Sequence, residues 1–258
     1  MKKEEYQRIF ELEEKHWWYL GMRKISEALL LPLIKKRKGL KILDAGCGTG
    51  GMMKRLKKFG EVQGIDISPE ALKFCRKRGL KGIKLASIEK IPFENESFDL
   101  VTSFDVLYHQ WVKNDSAAFK EICRVLKPGG YFLIRVPAYD WLRGKHDKIV
   151  FTRHRYTREE LVTETRSAGF KVLRATYANS FLFPLAVAKR FLEKILPEEK
   201  NSDVKPLPNF LNSLFTKILY LEAAAVSKFN LPFGLSLFVL AQKEPTDSFS
   251  IRKHRLVV

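Results

Sequence analysis

The chain predicts an α/β fold built on a largely parallel sheet, and three observations predict it. Short apolar runs at Leu40–Asp44, Val62–Asp66, Ser97–Asp105 and Tyr131–Val136 alternate with segments of helical spacing, the pattern of consecutive βαβ units. Two of those runs close on an acid, Asp44 and Asp66. The first run then passes through Gly46, Gly48 and Gly50 straight into the helix formers Met52, Met53, Lys54, Arg55 and Leu56. Such a strand, tight turn and helix start is the usual seat of a polar cofactor group.

Length and composition bound the rest. At 258 residues, 45% hydrophobic and 12% aromatic, the chain makes one sizeable domain with additions. Cys47, Cys75 and Cys123 form no C-x-x-C pair, so a reducing compartment with neither disulfide frame nor zinc knuckle is expected. The charged start Met1-Lys2-Lys3-Glu4-Glu5 leads into no apolar stretch, so no signal peptide is read. The longest uncharged runs, Ala175–Ala188 and Phe229–Gln242, fall short of the roughly 18 residues of a spanning helix. The expected location is the cytoplasm, with peripheral contact to an anionic membrane. A net charge of +18 is open to three readings: a solvated Lys-rich surface, an anionic membrane face, or nucleic acid.

Residues Lys3 to Lys38 read as helical, with His16-Trp17-Trp18-Tyr19 in their midst. The tryptophans either staple this segment to the domain or belong to a lid. Strand one (Leu40–Asp44) and a helix (Gly51–Phe59) follow. Asp66 ends strand two about 20 residues beyond the acid of strand one, where an α/β fold places the carboxylate for ribose hydroxyls. Ser68-Pro69-Glu70-Ala71 is a helix start with a serine cap and proline in the first turn. Gly82–Ala86 reads as strand three and Ser97–Asp105 as strand four, with Phe104 to His109 leading out over the site. The helix Asp115–Leu126 ends at Lys127-Pro128-Gly129-Gly130, and Tyr131–Val136 is strand five. Ala138–Thr157 is a polar connection carrying His146, His154 and Arg155. A helix (Arg158–Ala168), a strand (Phe170–Tyr177) and a last strand (Leu235–Ala241) complete the domain. Between those last strands lies an insertion rich in Phe and Leu, with a helix through Phe191 and Leu192, a Pro-rich break (Pro197–Pro208) and a helix Phe210–Lys228. It reads as a helical cap with its own small core, as a cover for a lipophilic substrate, or as a membrane-surface patch with Lys189, Arg190, Lys194, Lys217 and Lys228 beside it.

The glycine spacing separates two classes of cofactor. A dinucleotide site has G-x-G-x-x-G, whereas Asp44 to Gly50 read D-x-G-x-G-x-G. An acid at the strand end suits a cationic ligand group and repels a pyrophosphate. In this form the sequence resembles the class I S-adenosylmethionine-dependent methyltransferases, and the likeness extends through Ile91-Pro92-Phe93 and Leu126-Lys127-Pro128-Gly129-Gly130 to Val136. The resemblance implies a Rossmann-like, seven-stranded sheet of order 3-2-1-4-5-7-6. It implies an N-terminal helical lid (1–38), a methyltransferase domain (39–244) with the helical insertion at about 180–230, and a basic tail (245–258). It also implies that S-adenosylmethionine is bound, and S-adenosylhomocysteine released, by Asp44, Gly46, Cys47, Gly48, Gly50, Asp66, Ile67, Ser87, Ile88 and Phe104. Trp18 and Arg23 would come from the lid, Arg23 toward the cofactor carboxylate. Ser87 stands where the family often has an acid that touches adenine.

Methyl transfer from a sulfonium is an in-line displacement, so alignment is the main requirement, and a base is needed only where the acceptor loses a proton. His109, just past strand four, and His154 or His146 in the polar connection are the candidates, His154 beside Arg153, Arg155 and Tyr156 also suiting an anionic acceptor group. No histidine pair has metal-ligand spacing, and no nucleophile elbow or Walker loop occurs. Phe104-Asp105-Val106-Leu107 replaces the Asn-Pro-Pro-Tyr-like clamp of amino methylation, and no separate RNA-binding module is visible. The motifs are most similar to the branch that methylates small molecules, quinone precursors among them. The expected acceptor is a small or lipid-like molecule methylated at oxygen, with carbon or nitrogen as the further choices. An RNA or protein methyltransferase and a non-catalytic cofactor-binding or membrane-associated scaffold are the alternatives.

Overall fold

The computed structural model describes residues 3–195 and 207–245. The tail from residue 246 and most of the Pro-rich break lie outside the described residues. In order, the elements are α1 (Lys3–Leu12), α2 (Trp17–Ile34), β1 (Leu40–Ala45), α3 (Gly51–Leu56), β2 (Gly60–Asp66), α4 (Pro69–Lys77), β3 (Ile83–Leu85), β4 (Phe98–Phe104), α5 (Asp115–Val125) and β5 (Leu126–Pro137). A 3-10 turn (Asp140–Leu142) leads to α6 (Lys145–Ile149), α7 (Arg158–Ser167), β6 (Phe170–Ala178), α8 (Phe183–Ile195), α9 (Asn209–Lys228) and β7 (Ser236–Lys243).

The seven strands form one sheet of order β3-β2-β1-β4-β5-β7-β6. Strands β1 to β5 run parallel, and β7 is antiparallel to both β5 and β6. The central strands are covered on both faces, which is why they read as apolar runs without alternation. On one face Phe119, Ile122 and Leu161 from α5 and α7 close the core; on the other Met22, Ile25 and Leu29 of α2 pack with Leu219 and Val226 of α9. Helix starts follow local chemistry. Ser68 accepts from the Ala71 amide at 3.4 Å, Asn114 from the Ala117 amide at 3.0 Å, and Thr157 with Glu160 forms a reciprocal cap.

The N-terminal segment departs from one continuous helix. It breaks over 13–16, where His16 caps α2 by accepting from the Trp18 amide at 3.3 Å and Glu13 turns inward. The segment Leu126–Gly130 also differs: it runs as the start of β5, pairs Leu126 with Phe98, and slips register before Tyr131 meets Leu100.

The insertion and the N-terminal helices are one packing unit. Gly21 allows α9 to come close, since a Cβ there would lie 2.1 Å from Leu219 Cδ1. The Asn212 side chain accepts from the Trp17 amide and donates to the Lys15 carbonyl, both at 2.9 Å, and Trp17 meets the Phe215 ring edge-on at 5.3 Å. Farther along α9, the fully buried Glu222 accepts from the amides of Asn179, Ser180 and Phe181, the chain leaving β6 toward α8. Burial raises its pKa, and those three amides oppose the shift. Glu222→Ala leaves two buried donors, the Asn179 and Ser180 amides, and the part-buried Phe181 amide without their acceptor, so a loss of roughly 3 kcal/mol in unfolding free energy is expected by denaturant titration. An unchanged midpoint would show that the grip on 179–181 contributes nothing.

Candidate active site

A cavity of about 1100 Å³ opens over the C-terminal ends of β1, β2 and β4 and extends beneath α8. That volume exceeds the space of a single small ligand. Its floor is the turn after β1. The Gly46 and Cys47 amides both donate to the Ile65 carbonyl, at 2.8 and 2.9 Å, which ties the turn to β2. Gly48 has φ +54 and faces open space where a Cβ would stand, so the backbone there is free to receive a ligand. Gly46 is glycine for another reason: a Cβ would lie 2.1 Å from Val106 Cγ2. Gly50 is not on the cavity wall; with φ +83 it caps α3 against Leu80.

Three carboxyl groups converge on this floor. Asp44, 2% exposed, accepts from the Thr102 hydroxyl at 2.8 Å. Burial pushes its pKa up to about 7, the Thr102 bond opposes that, and the nearby Asp66 adds to it. Asp66 accepts one amide on each oxygen, Gly48 on Oδ2 and Ser68 on Oδ1, both at 2.9 Å. These bonds fix its plane and leave each oxygen a lone pair for a hydroxyl. Burial raises its pKa against the pull of the two amides. Glu13, from the break between α1 and α2, accepts from the Thr49 hydroxyl and pairs with Arg78. Burial raises its pKa as well, opposed by both partners.

Other expected residues take varied places. Ile67, Ser87, Ile88, Phe104, Trp18 and Arg23 all line the cavity. Ser87 Oγ accepts from the Glu89 amide at 3.1 Å. Arg23 is buried and already engaged, by Glu14 at 3.0 Å and by the Glu13 carbonyl, so it braces the 13–16 turn. Cys47 turns its thiol away, 3.9 Å from Cys75 Sγ. Its contact with Cys75 and its burial hold that thiol far above the usual range, and the backbone is what Cys47 offers the site.

His109 lies on the cavity wall, stacked on Tyr108 at 4.9 Å. Burial lowers its pKa to about 4, so the ring is uncharged at neutral pH, and its buried Nδ1 has no partner. His154 is not among the residues that line the cavity; it lies between Asp140 at 3.2 Å and Glu160 at 2.7 Å, with Tyr156 edge-on. The side chain of His146 lies outside the described residues.

The sequence reading missed two charged pairs on the wall. Arg135 of β5 holds Asp105 through Nε at 3.1 and 3.2 Å and lies 4.9 Å over the Trp18 ring. A lone arginine in the apolar run Tyr131–Val136 was its one signal. Arg155 grips Asp147 in a fork of 2.9 and 3.0 Å, both residues buried, and both line the cavity, as do the apolar Leu142, Val150 and Leu182. Among the described residues no cluster could hold a metal ion.

The comparisons agree with this geometry. The family described as a methyltransferase domain matches residues 43–134. An uncharacterised protein of Methanocaldococcus jannaschii is 33% identical over 150 residues, covering 55% of this chain and 69% of the relative. A ubiquinone/menaquinone biosynthesis C-methyltransferase of Laribacter hongkongensis is 38% identical over 123 residues, 44% of this chain and 50% of the relative. The chain spans about half the length of several curated relatives it matches. The solved structure of a Thermotoga maritima S-adenosylmethionine-dependent methyltransferase superposes with a TM-score of 0.58 at 20% identity, covering 93% of this chain and 95% of that one; this likeness speaks to the fold.

The pH response of Asp44 is testable. Its carboxyl holds a proton more tightly in the folded chain (about 7) than in the unfolded one (3.8). Its contribution to stability therefore falls as pH rises between those values. A cationic ligand beside it needs the carboxylate, so affinity for S-adenosylhomocysteine should drop about tenfold per unit below pH ~7. Calorimetry at several pH values should show this slope flattened in Asp44→Asn; the same slope in both proteins would contradict the assignment.

Proposed function

Since the chain belongs to the class I S-adenosylmethionine-dependent methyltransferase family, we propose that it methylates a small, largely apolar acceptor, at oxygen, with that cofactor as donor. The observation that carries this reading is that one cavity is lined both by three acids, Glu13, Asp44 and Asp66, and by an apolar set, its annex, of Leu142, Val150, Leu182 and Leu185. The floor residues fit the cofactor: Asp66 is pre-oriented for vicinal hydroxyls, Asp44 for an ammonium, Gly48 for close backbone approach, and Ile67, Ser87 and Ile88 for a flat base. When bound, S-adenosylmethionine supplies an electrophilic methyl group on a positively charged sulfur.

The protein's own part is placement and the handling of charge. Trp18 and Phe104 put aromatic faces on the wall, and the face of an aromatic ring tolerates a cation. Arg135 is itself close to both rings, at 4.9 and 5.2 Å, and its charge is matched by Asp105. The fork of Arg155 and Asp147 gives the annex one charged anchor without net charge. His109, neutral at working pH, can accept a hydrogen bond from an acceptor hydroxyl. With so low a pKa it is a weak base, so its part is to accept and orient that hydroxyl rather than to carry its proton as an imidazolium.

A second reading, transfer to carbon, is supported by the C-methyltransferase names of relatives that match at 38 and 32% identity. Incubation with methyl-labelled cofactor and fractionated lipid, small-molecule, RNA and protein extracts tests the class. Label is expected in an apolar small-molecule or lipid fraction, as an ether; label on carbon would favour the second reading. Label in RNA or protein alone would overturn both. With the identified acceptor, His109→Ala should lower turnover by about 10²-fold or more and leave cofactor affinity unchanged.

A further inference from the structure

We propose that the outward face of α8 and α9 docks on the surface of an anionic lipid bilayer. Among the described residues fifteen large hydrophobic side chains are exposed, and eleven of them fall between Phe181 and Phe233. On α9 they keep helical spacing: Phe210, Leu214 and Leu221, exposed by 76, 40 and 67%, share one stripe. The opposite stripe, Leu219, Ala223 and Val226, is buried in the core shared with α2.

Charge selects the occupant. Lys217 interrupts the exposed stripe and Lys228 ends it, while the single acid of α9, Glu222, is fully buried. The exposed Lys24 of α2 stands 5.8 Å from the ring of Tyr220, which is itself exposed at the flank of the stripe. This face therefore presents apolar side chains among cations with no acid on α9 to answer them. A second copy of the same face would set lysine against lysine. Anionic headgroups over an acyl boundary complement both features, because lysine stems snorkel while Leu and Phe enter the interface. No described helix is long and apolar enough to cross a membrane, so the helix lies on the surface.

The face also meets the cavity. Leu185 of α8 is 58% exposed and lines the cavity, so the apolar surface continues into the annex. An acceptor dissolved in the bilayer could enter there without crossing water; this consequence rests on the function proposed above, whereas docking itself does not.

The test is co-sedimentation of the full chain with vesicles of phosphatidylglycerol and phosphatidylcholine, against phosphatidylcholine alone. Binding is expected only to the anionic vesicles and should weaken as salt is raised. Phe210→Ser, Leu214→Ser and Leu221→Ser combined should cut partitioning by about tenfold or more. Circular dichroism and heat of binding to S-adenosylhomocysteine, both unchanged, would show that the variant is folded. No sedimentation with anionic vesicles, or equal sedimentation of the variant, overturns the proposal. So does a dimer in light scattering that the variant dissociates, or retention on bulk RNA in place of vesicles. If the full chain binds vesicles but gives no heat with the nucleoside, the docking stands and the proposed function falls.

Discussion

Burial of Glu13, Asp44 and Asp66 at one end of the cavity is the constraint that organises this molecule. Each carboxyl is taken out of water, and burial raises the pKa of all three. A buried carboxylate without compensation is costly. The protein compensates in part, with the Thr102 hydroxyl on Asp44, two amides on Asp66, and Thr49 with Arg78 on Glu13. Asp44 receives the least help, one hydroxyl and no cation in contact. A ligand carrying positive charge completes the set, and a ligand carrying pyrophosphate would worsen it. The chemistry of the cavity floor thus selects its occupant before any comparison with relatives.

The same constraint explains how the N-terminal helices are held. Glu13 belongs to the break between α1 and α2, yet its carboxyl ends on the turn after β1 and on Arg78 just beyond α4. Glu14 adds Arg23 and Arg55 at 3.0 and 3.3 Å. Helix α2 is in turn fastened to α9 through Asn212 and the close approach at Gly21. Floor, N-terminal helices and insertion therefore form one connected body around the cavity. Trp18 of α2 and Arg135 of β5 meet on its wall, the guanidinium 4.9 Å over the indole ring.

Most of the sheet was legible because its signals are local. Apolar runs of strand length, acids at their C-terminal ends, and caps such as Ser68 and Thr157 depend on near neighbours in the chain. The order of the strands came from the resemblance carried by Asp44 to Gly50 and Leu126 to Gly130, and the structure has it. What stayed hidden depends on pairs far apart in sequence. Glu13 with Thr49 and Arg78, Asn212 with Trp17, and Glu222 with the amides of 179–181 join segments separated by tens of residues or more, and no periodicity predicts a carboxylate's partner. The break at 13–16 was hidden for the same reason: apolar spacing on either side continues, while the tertiary hold on Glu13 and the grip of Asn212 join the His16 cap at the break. At His154 the chain shows a histidine among arginines, while in space two acids, Asp140 and Glu160, take its ring.

The most direct measurement is a calorimetric titration of the full chain with S-adenosylhomocysteine near pH 8, where Asp44 is ionised. One molecule bound per chain, with binding abolished or greatly weakened in Asp66→Ala, is the result this account predicts. No heat with the unaltered chain, or equal affinity in Asp66→Ala, would contradict it and leave only the fold.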